Sequence, residues 1–131
     1  NIKGSLHTPS VDFNAETGEL EMCGRSIPEE TLNFFNPLIN WVKDYSQEPQ
    51  PITTLNLKIE YLNSGSHTSL LVILKKLEEL HNSDKGVKVT VIWYYEEDDE
   101  YMLEAGEEYA EMLDVPFKYI SVVEFEVEEE N

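Results

Sequence analysis

The sequence predicts a single α/β domain with a mixed sheet of about five strands, an N-terminal hairpin and about three helices mainly on one face. Residues 52–61 and 87–93 alternate apolar and polar side chains as strands do, and residues 70–80 between them carry leucine and isoleucine at helical spacing. This order forms a βαβ unit, whose right-handed crossover predicts parallel strands. A length of 131 residues fits one core.

The first predicted element is a β-hairpin over residues 8–23. Val11 and Phe13 alternate with polar residues, a turn sequence rich in Asn and Gly follows at 14–18, and Leu20 and Met22 alternate again. The polar alternates predict an edge position in the sheet.

A first helix should follow the hairpin, interrupted by proline. Ser26 and Glu29 have the spacing of a capping box, and apolar residues recur at helical spacing up to Tyr45. Because proline costs the interior of a helix about 3 kcal/mol, we expect a short piece near 29–35 and a new start with Asn36 as cap and Pro37 in first position.

Residues 52–93 should form the βαβ unit named above. In 52–61 one face carries leucine, isoleucine and tyrosine while the other carries Asn, Lys and Glu, which predicts a half-covered sheet. The helix over 70–80 should stop at Asn82–Gly86 before the next strand begins.

A third helix and a last strand complete the predicted fold. Residues 100–113 have apolar side chains that can share one helical face, Asp114 to Pro116 breaks the helix, and a strand runs from Phe117 to about Val123. An acidic tail from about residue 124 should be solvated. The face consists of Tyr101, Met102, Ala105, Tyr109 and Met112.

The composition excludes several classes of function. Nine basic residues stand against twenty-seven acidic ones, and the formal net charge of -18 repels nucleic acid and anionic membranes while leaving basic proteins as possible partners. The single cysteine, Cys23, cannot form an internal disulfide, and no apolar run is long enough for a membrane span or forms a signal peptide. A cytoplasmic location is expected.

We find no catalytic motif, and we expect neither an enzyme nor a cofactor. His7, His67 and His81 lie far apart, and metal-ligand, nucleophile and phosphate-loop spacings are missing from the sequence. Consecutive acidic residues at 96–100 lack the spacing of a calcium loop, so a solvated loop is a better interpretation than a metal site.

The most informative segment is rich in hydroxyl groups and lies where the strand pattern of 52–61 passes into the helix pattern. Its hydroxyl residues either cap the helix or expose a site where phosphate can sit at the positive helix end. Loops at the carboxyl ends of parallel strands often bind partners, and Gly65 should let the backbone turn sharply. The local pattern leaves both interpretations open. The hydroxyl residues are Ser64, Ser66, Thr68 and Ser69.

Three segments together resemble the SiaC family of bacterial regulatory phosphoproteins: residues 61–66 (Tyr-Leu-Asn-Ser-Gly-Ser), 40–42 (Asn-Trp-Val) and 91–95 (Val-Ile-Trp-Tyr-Tyr). The resemblance covers nearly the whole chain. It implies a fold distantly similar to STAS-domain anti-sigma-factor antagonists such as SpoIIAA. It also implies a single regulatory domain over 1–131 that switches partners and does not catalyse a reaction.

The resemblance further implies that Ser64, directly after the Tyr-Leu-Asn triplet, is the phosphorylated residue. A SpoIIAB-like serine/threonine kinase and a PP2C-type phosphatase would control it, and the target in the best-known case is a diguanylate cyclase, which points to c-di-GMP signalling and biofilm regulation. This chain has Ser-Gly-Ser where the family has Thr-Ser-Ser.

Proximity to Ser64 predicts a partner-binding patch. The alternative function is a small-ligand or nucleotide-binding protein that uses the helix N-terminus at Ser64–Ser66 as an anion pocket. The residues of the predicted patch are Asn63, Gly65, Ser66, His67 and Thr68.

Overall fold

The computed structural model describes residues 1–125, in which five strands and three helices form one sheet with a helical layer. The elements in chain order are β1 (Ser10–Asn14), β2 (Glu19–Ser26), α1 (Thr31–Tyr45), β3 (Ile52–Leu62), α2 (Ser64–His81), β4 (Lys88–Glu96), α3 (Glu100–Met112) and β5 (Phe117–Val122).

The strands lie in the same order in the sheet as in the chain. β1 and β2 form the antiparallel hairpin, and β2, β3, β4 and β5 are parallel neighbours. Every crossover therefore steps in the same direction, and crossovers of one hand then place their helices on the same face. The predicted mixed five-stranded sheet, its hairpin with β1 at the edge and the parallel pair are confirmed.

The core lies between the sheet and the three helices. Leu55 of β3 opposes Leu20 of β2 on one side and Val91 of β4 on the other, and all three side chains are fully buried. The alternate residues Asn56 and Lys58 on the other face are partly exposed. The pleat sends successive side chains to opposite faces, and the predicted half-covered sheet is confirmed. Tyr61, which was predicted on the apolar face, is 48% exposed instead, next to a shift of register between β2 and β3.

The structure corrects the prediction for the first helix. α1 is one helix from Thr31 to Tyr45, with the exposed Pro37 inside it. Pro37 has no N–H for the Asn33 carbonyl, so one helical hydrogen bond is lost. Burial of a continuous apolar stripe on both sides of Pro37 outweighs that loss. The stripe consists of Phe35, Leu38, Val42 and Tyr45.

The predicted capping box is also wrong. Ser26 belongs to β2, and Glu30 at the N-cap of α1 makes no side-chain capping hydrogen bond. The sequence pattern of Ser26 and Glu29 is that of a cap, but Ser26 is drawn into the sheet because its hydroxyl has a buried partner in α2.

α3 and β5 lie where the sequence placed them, although the buried face of α3 differs from the prediction. Met102, Ala105 and Tyr109 are buried, whereas Tyr101 is 65% and Met112 57% exposed. The indole Nε1 of Trp93 donates to the Met102 carbonyl at 2.9 Å, and Gly106 joins the buried face that packs on the sheet. The predicted tail begins at Glu124, and all but its first two residues lie outside the described part of the chain.

None of the three described helices combines the length and the apolar composition that a membrane-spanning helix needs.

Candidate functional site

The junction between β3 and α2 is a capped helix start. Asn63 is the N-cap, with an extended backbone, and its Oδ1 accepts a hydrogen bond from the Ser66 N–H at 2.9 Å. The Asn63 carbonyl accepts from the His67 N–H at 3.0 Å, and the Asn63 N–H donates to the Ser26 carbonyl at 2.9 Å. The hydroxyl-rich segment therefore forms the first two turns of α2, and Ser64 is its first residue.

The four hydroxyl residues fall into two environments. Ser66 and Ser69 are buried, and Ser64 and Thr68 are exposed. The Ser66 hydroxyl donates to the Ser26 carbonyl at 2.9 Å and lies 2.7 Å from the Ser26 hydroxyl. Ser66 thus joins α2 to the end of β2, and a phosphate on it would have no room.

Ser64 and Thr68 differ in what their hydroxyl groups contact. Thr68 Oγ1 donates to the Ser64 carbonyl at 3.3 Å, one turn back along α2. Within residues 1–125 the Ser64 hydroxyl has no hydrogen bond and faces solvent. A free, exposed hydroxyl at the first helical position is open to a modifying enzyme, and the partial positive charge of the helix end favours an anion there.

Gly65 acts differently from the prediction. Its backbone is helical and makes no sharp turn, but a β-carbon at Gly65 would lie 2.5 Å from Thr31 Oγ1. Thr31 is the first residue of α1, so the N-termini of α1 and α2 are in contact here. Two helix ends with unpaired N–H groups therefore lie side by side next to Ser64.

His67 contacts α3. Its Nδ1 lies 3.0 Å from the Tyr109 hydroxyl, which donates its one proton to the His67 carbonyl at 2.9 Å. Nδ1 must therefore carry the proton of the ring, and Nε2 is a bare acceptor. Nε2 is buried without a hydrogen-bond partner in the described part of the chain.

The environment of this pair alters the pKa of both side chains. Burial lowers the pKa of His67, and Glu108 opposes that effect with its negative charge. Burial also raises the pKa of Tyr109, with Glu108 and Tyr101 acting in the same direction. His67 is therefore neutral at neutral pH and offers an anion no positive charge.

A cavity of about 350 Å³ lies between α2 and α3, one helical turn from Ser64. The sequence pattern did not predict this cavity, although Tyr101 and Met112 beside the glutamates of α3 were a signal. Its lining residues are His67, Thr68, Leu71, Tyr101, Ala105, Glu108, Tyr109 and Met112.

A second cavity, of about 300 Å³, lies beside the C-terminal ends of α1 and α2. Neither cavity includes Ser64, Gly65 or Ser66. The parallel strands also follow one another without a reversal of order, so the sheet has no topological switch point at this edge. The geometry therefore does not favour the alternative of an anion pocket at Ser64–Ser66.

The acidic segment 96–100 has structural contacts. Asp99 Oδ1 accepts from the Met102 N–H at 3.1 Å and caps α3, and Glu96 Oε2 accepts from the Phe125 N–H at 3.0 Å. Over residues 1–125, no three His, Cys, Asp or Glu side chains are grouped so that they could hold a metal ion.

Comparison with known proteins gives consistent matches over almost the whole chain. The model of the SiaC family of regulatory phosphoproteins matches residues 2–122. An uncharacterized protein of Pseudomonas aeruginosa (strain UCBPP-PA14) is 33% identical over 117 residues, which is 89% of this chain and 91% of that protein.

Solved structures match equally well. A chain in the crystal structure of the diguanylate cyclase SiaD in complex with its activator SiaC, from Pseudomonas aeruginosa, has a TM-score of 0.85 and 31% identity, covering 92% of this chain and 98% of that chain. The structure of SiaC of Pseudomonas aeruginosa has a TM-score of 0.83 and 30% identity, covering 92% and 96%.

Proposed function

Because the chain belongs to the SiaC family of regulatory phosphoproteins, we propose that it is a non-enzymatic partner switch controlled by reversible phosphorylation at Ser64. The described domain and the tail together form one regulatory unit over residues 1–131. In the unphosphorylated state it binds a target protein, and the phosphate at Ser64 ends that binding.

The observation that carries this proposal is the environment of Ser64. Its hydroxyl is exposed and unbonded in the described structure, at the first position of α2, whereas Ser66 and Ser69 are buried. A phosphate there gains about 0.3–1 kcal/mol from the helix end. The modification is therefore compatible with the fold and changes only the surface.

The surface around Ser64 explains how a phosphate would act on binding. The residues next to Ser64 at the start of α2 are Asn63, Gly65, His67 and Thr68. The side chain of Ser66, in the same segment, is buried beneath this surface. A phosphate adds about 1.5–2 negative charges and three acceptor oxygens. A partner surface fitted to a neutral hydroxyl must then desolvate a dianion, which weakens the complex.

Membership of the SiaC family indicates which proteins act on this chain and which protein it binds. Since SiaC is the activator of the diguanylate cyclase SiaD, we infer that the target of this chain is also a diguanylate cyclase. A SpoIIAB-like serine/threonine kinase adds the phosphate and a PP2C-type phosphatase removes it. The switch operates in the cytoplasm, where the kinase has access to ATP.

The site of phosphorylation is tested with the cognate kinase, ATP and mass spectrometry of the digested protein. Wild type and Thr68→Ala should each take up one phosphate at Ser64, and Ser64→Ala should take up none. Thr68→Ala is the matched control, because Thr68 is the other exposed hydroxyl of this turn. Equal phosphate on Ser64→Ala and wild type would refute the assignment.

The effect on binding is tested with Ser64→Asp and its uncharged isostere Ser64→Asn. Titration of the purified cyclase should give at least a tenfold weaker affinity for Ser64→Asp than for Ser64→Asn, equivalent to about 1.4 kcal/mol. Both variants add the same bulk, so the difference reports charge alone. Equal affinities would show that the phosphate does not act through its charge.

A further inference from the structure

We propose that the groove between α2 and α3 binds an arginine side chain presented by an amphipathic helix of the partner protein. This groove is the cavity of about 350 Å³ described above. The inference rests on the proposed function for the existence of a protein partner, and it names the chemistry by which that partner is recognised.

His67 has a hydrogen-bond acceptor, Nε2, that meets no donor in the described structure. His67 is one of the residues that line the groove, its Nδ1 proton is used by Tyr109, and its buried Nε2 has no partner in the described structure. A buried acceptor left unsatisfied carries a cost in free energy, because it has lost its hydrogen bond to water. A side chain that donates a hydrogen bond at this point removes that cost.

The groove has a negatively charged border. Glu108 lines the groove and is exposed, and α3 has no basic residue. The whole chain has a formal net charge of -18. The groove therefore attracts a cationic donor and repels an anionic one. The exposed acidic residues of α3 are Glu100, Glu104, Glu107, Glu108 and Glu111.

The groups that line the groove fit arginine better than lysine. A guanidinium group has five donors in a planar fork, so it can bond to the Glu108 carboxylate and the His67 ring together while its face stacks on the Tyr101 ring. Nε2 is covered in the unbound chain, so the exposed side chains at the rim must first change rotamer, which they do rapidly. A lysine ammonium satisfies fewer of these groups at once.

The shape of the groove indicates a helix as the carrier. From Tyr101 to Met112 it follows α3 over twelve residues, a rise of about 16 Å, the length of three helical turns. Tyr101 and Met112 at its two ends are more than half exposed. Apolar side chains one and two turns from the arginine would cover them and Leu71, which makes the partner helix amphipathic.

The site is tested on the unphosphorylated chain by NMR titration with N-acetyl-arginine amide. Saturable shifts are expected in the side-chain signals of His67 and Tyr101. N-acetyl-citrulline amide, which has the same shape without the charge, should give shifts at least five times smaller at equal concentration. No shifts at these residues, or equal shifts from both compounds, would overturn the proposal.

Glu108→Gln and Glu107→Gln form a matched pair of variants. Both residues are exposed neighbours on α3, but Glu108 lines the groove whereas Glu107 acts on Tyr119 of β5. Glu108→Gln should weaken binding of the arginine amide at least threefold, and Glu107→Gln should leave it unchanged. If both variants weakened binding of the amide equally, the cause would be the overall charge of the chain, and a specific site at Glu108 would be refuted.

The same pair of variants applied to the purified cyclase extends the test to the protein partner. Glu108→Gln should weaken the complex more than Glu107→Gln. The amide titration needs neither kinase nor phosphate, so its failure leaves the phosphorylation switch standing. Failure of phosphorylation at Ser64 would in turn leave the arginine site standing.

Discussion

At the scale of single residues, the two serines on either side of Gly65 lie in opposite environments, one exposed and one buried. Residues two apart on a helix point about 200° away from each other, so Ser64 faces solvent while Ser66 faces the core. Ser66 satisfies the carbonyl and the hydroxyl of Ser26. One hydroxyl is therefore available for regulation, and the other holds the helix to the sheet.

Stability measurements should separate these roles. Ser66→Ala removes the hydrogen-bond partner of the buried Ser26 hydroxyl and one of the two donors to the Ser26 carbonyl, which keeps the Asn63 N–H. We therefore expect it to lower the free energy of unfolding by about 1–3 kcal/mol. Ser64→Ala removes no hydrogen bond in the described structure and should change it by less than about 0.5 kcal/mol. Urea denaturation monitored by circular dichroism gives both values. Similar losses for the two variants would contradict the division.

At the scale of secondary-structure elements, the close contact between the first turns of α1 and α2 defines the site. Gly65 of α2 lies against Thr31 of α1 with no room for a β-carbon. The glycine in the Ser-Gly-Ser sequence is thus required by packing. In a related protein with a larger residue in place of Gly65, the two helix ends must lie further apart, or the residue in place of Thr31 must be smaller.

Gly65→Ala tests that contact. Alanine is a better helix former than glycine by about 1 kcal/mol, but its β-carbon would lie 2.5 Å from Thr31 Oγ1. We expect a net loss of about 1–2 kcal/mol in the free energy of unfolding, because overpacking outweighs propensity. In a Thr31→Ala background the same substitution should be neutral or stabilising. A gain in the wild-type background would show that the helix ends move apart at little cost.

Two elements also show where sequence patterns mislead. Pro37 predicts a break in the first helix, but the buried stripe of α1 on both sides of it keeps one continuous helix. The apolar residues of α3 predict a face that includes Tyr101 and Met112, but the helix packs on the sheet through Met102, Ala105, Gly106 and Tyr109, and both predicted residues are exposed. In each case, a tertiary contact outweighs a local preference.

At the scale of the whole molecule, the order of the strands places the N-termini of the three helices at the carboxyl edge of the parallel strands. The helices cover one face of the sheet, and their first residues Thr31, Ser64 and Glu100 each follow a strand of this edge. The N-terminus of α1 contacts that of α2 at Thr31 and Gly65 on this edge. The formal net charge of -18 favours basic partners.

The same charge predicts how stability depends on salt. The described structure has only two short ion pairs, Arg25 with Glu60 and Lys58 with Glu21. Screening by salt therefore weakens few attractive interactions between charges. Raising NaCl from about 0.01 to 0.15 M shortens the Debye length from about 30 to 8 Å. Weaker self-repulsion should then raise the thermal midpoint by about 2–5 °C.

Differential scanning calorimetry measures this dependence, and a variant with fewer charges provides the control. Replacing Glu100, Glu104 and Glu111, all exposed on α3, by glutamine should reduce the rise in midpoint with salt. A midpoint that falls with salt would mean that attractive pairs dominate. An equal rise in the variant would place the repulsion outside this helix.

The sequence by itself determined the order and type of the elements, the parallel βαβ unit, the half-covered sheet and the position of Ser64 at a helix start. These features depend on the period of apolar residues and on nearby capping residues, which are local in the chain. Its resemblance to the SiaC family is confirmed by the family match over residues 2–122.

Only the tertiary structure decided which hydroxyl is free, why Gly65 is present, and that His67 meets Tyr109 beside a groove. These facts join residues far apart in the chain: Ser26 with Ser66, Thr31 with Gly65, and His67 with Tyr109. A local pattern cannot report them, because burial and hydrogen bonding between distant segments arise only when the helices pack on the sheet.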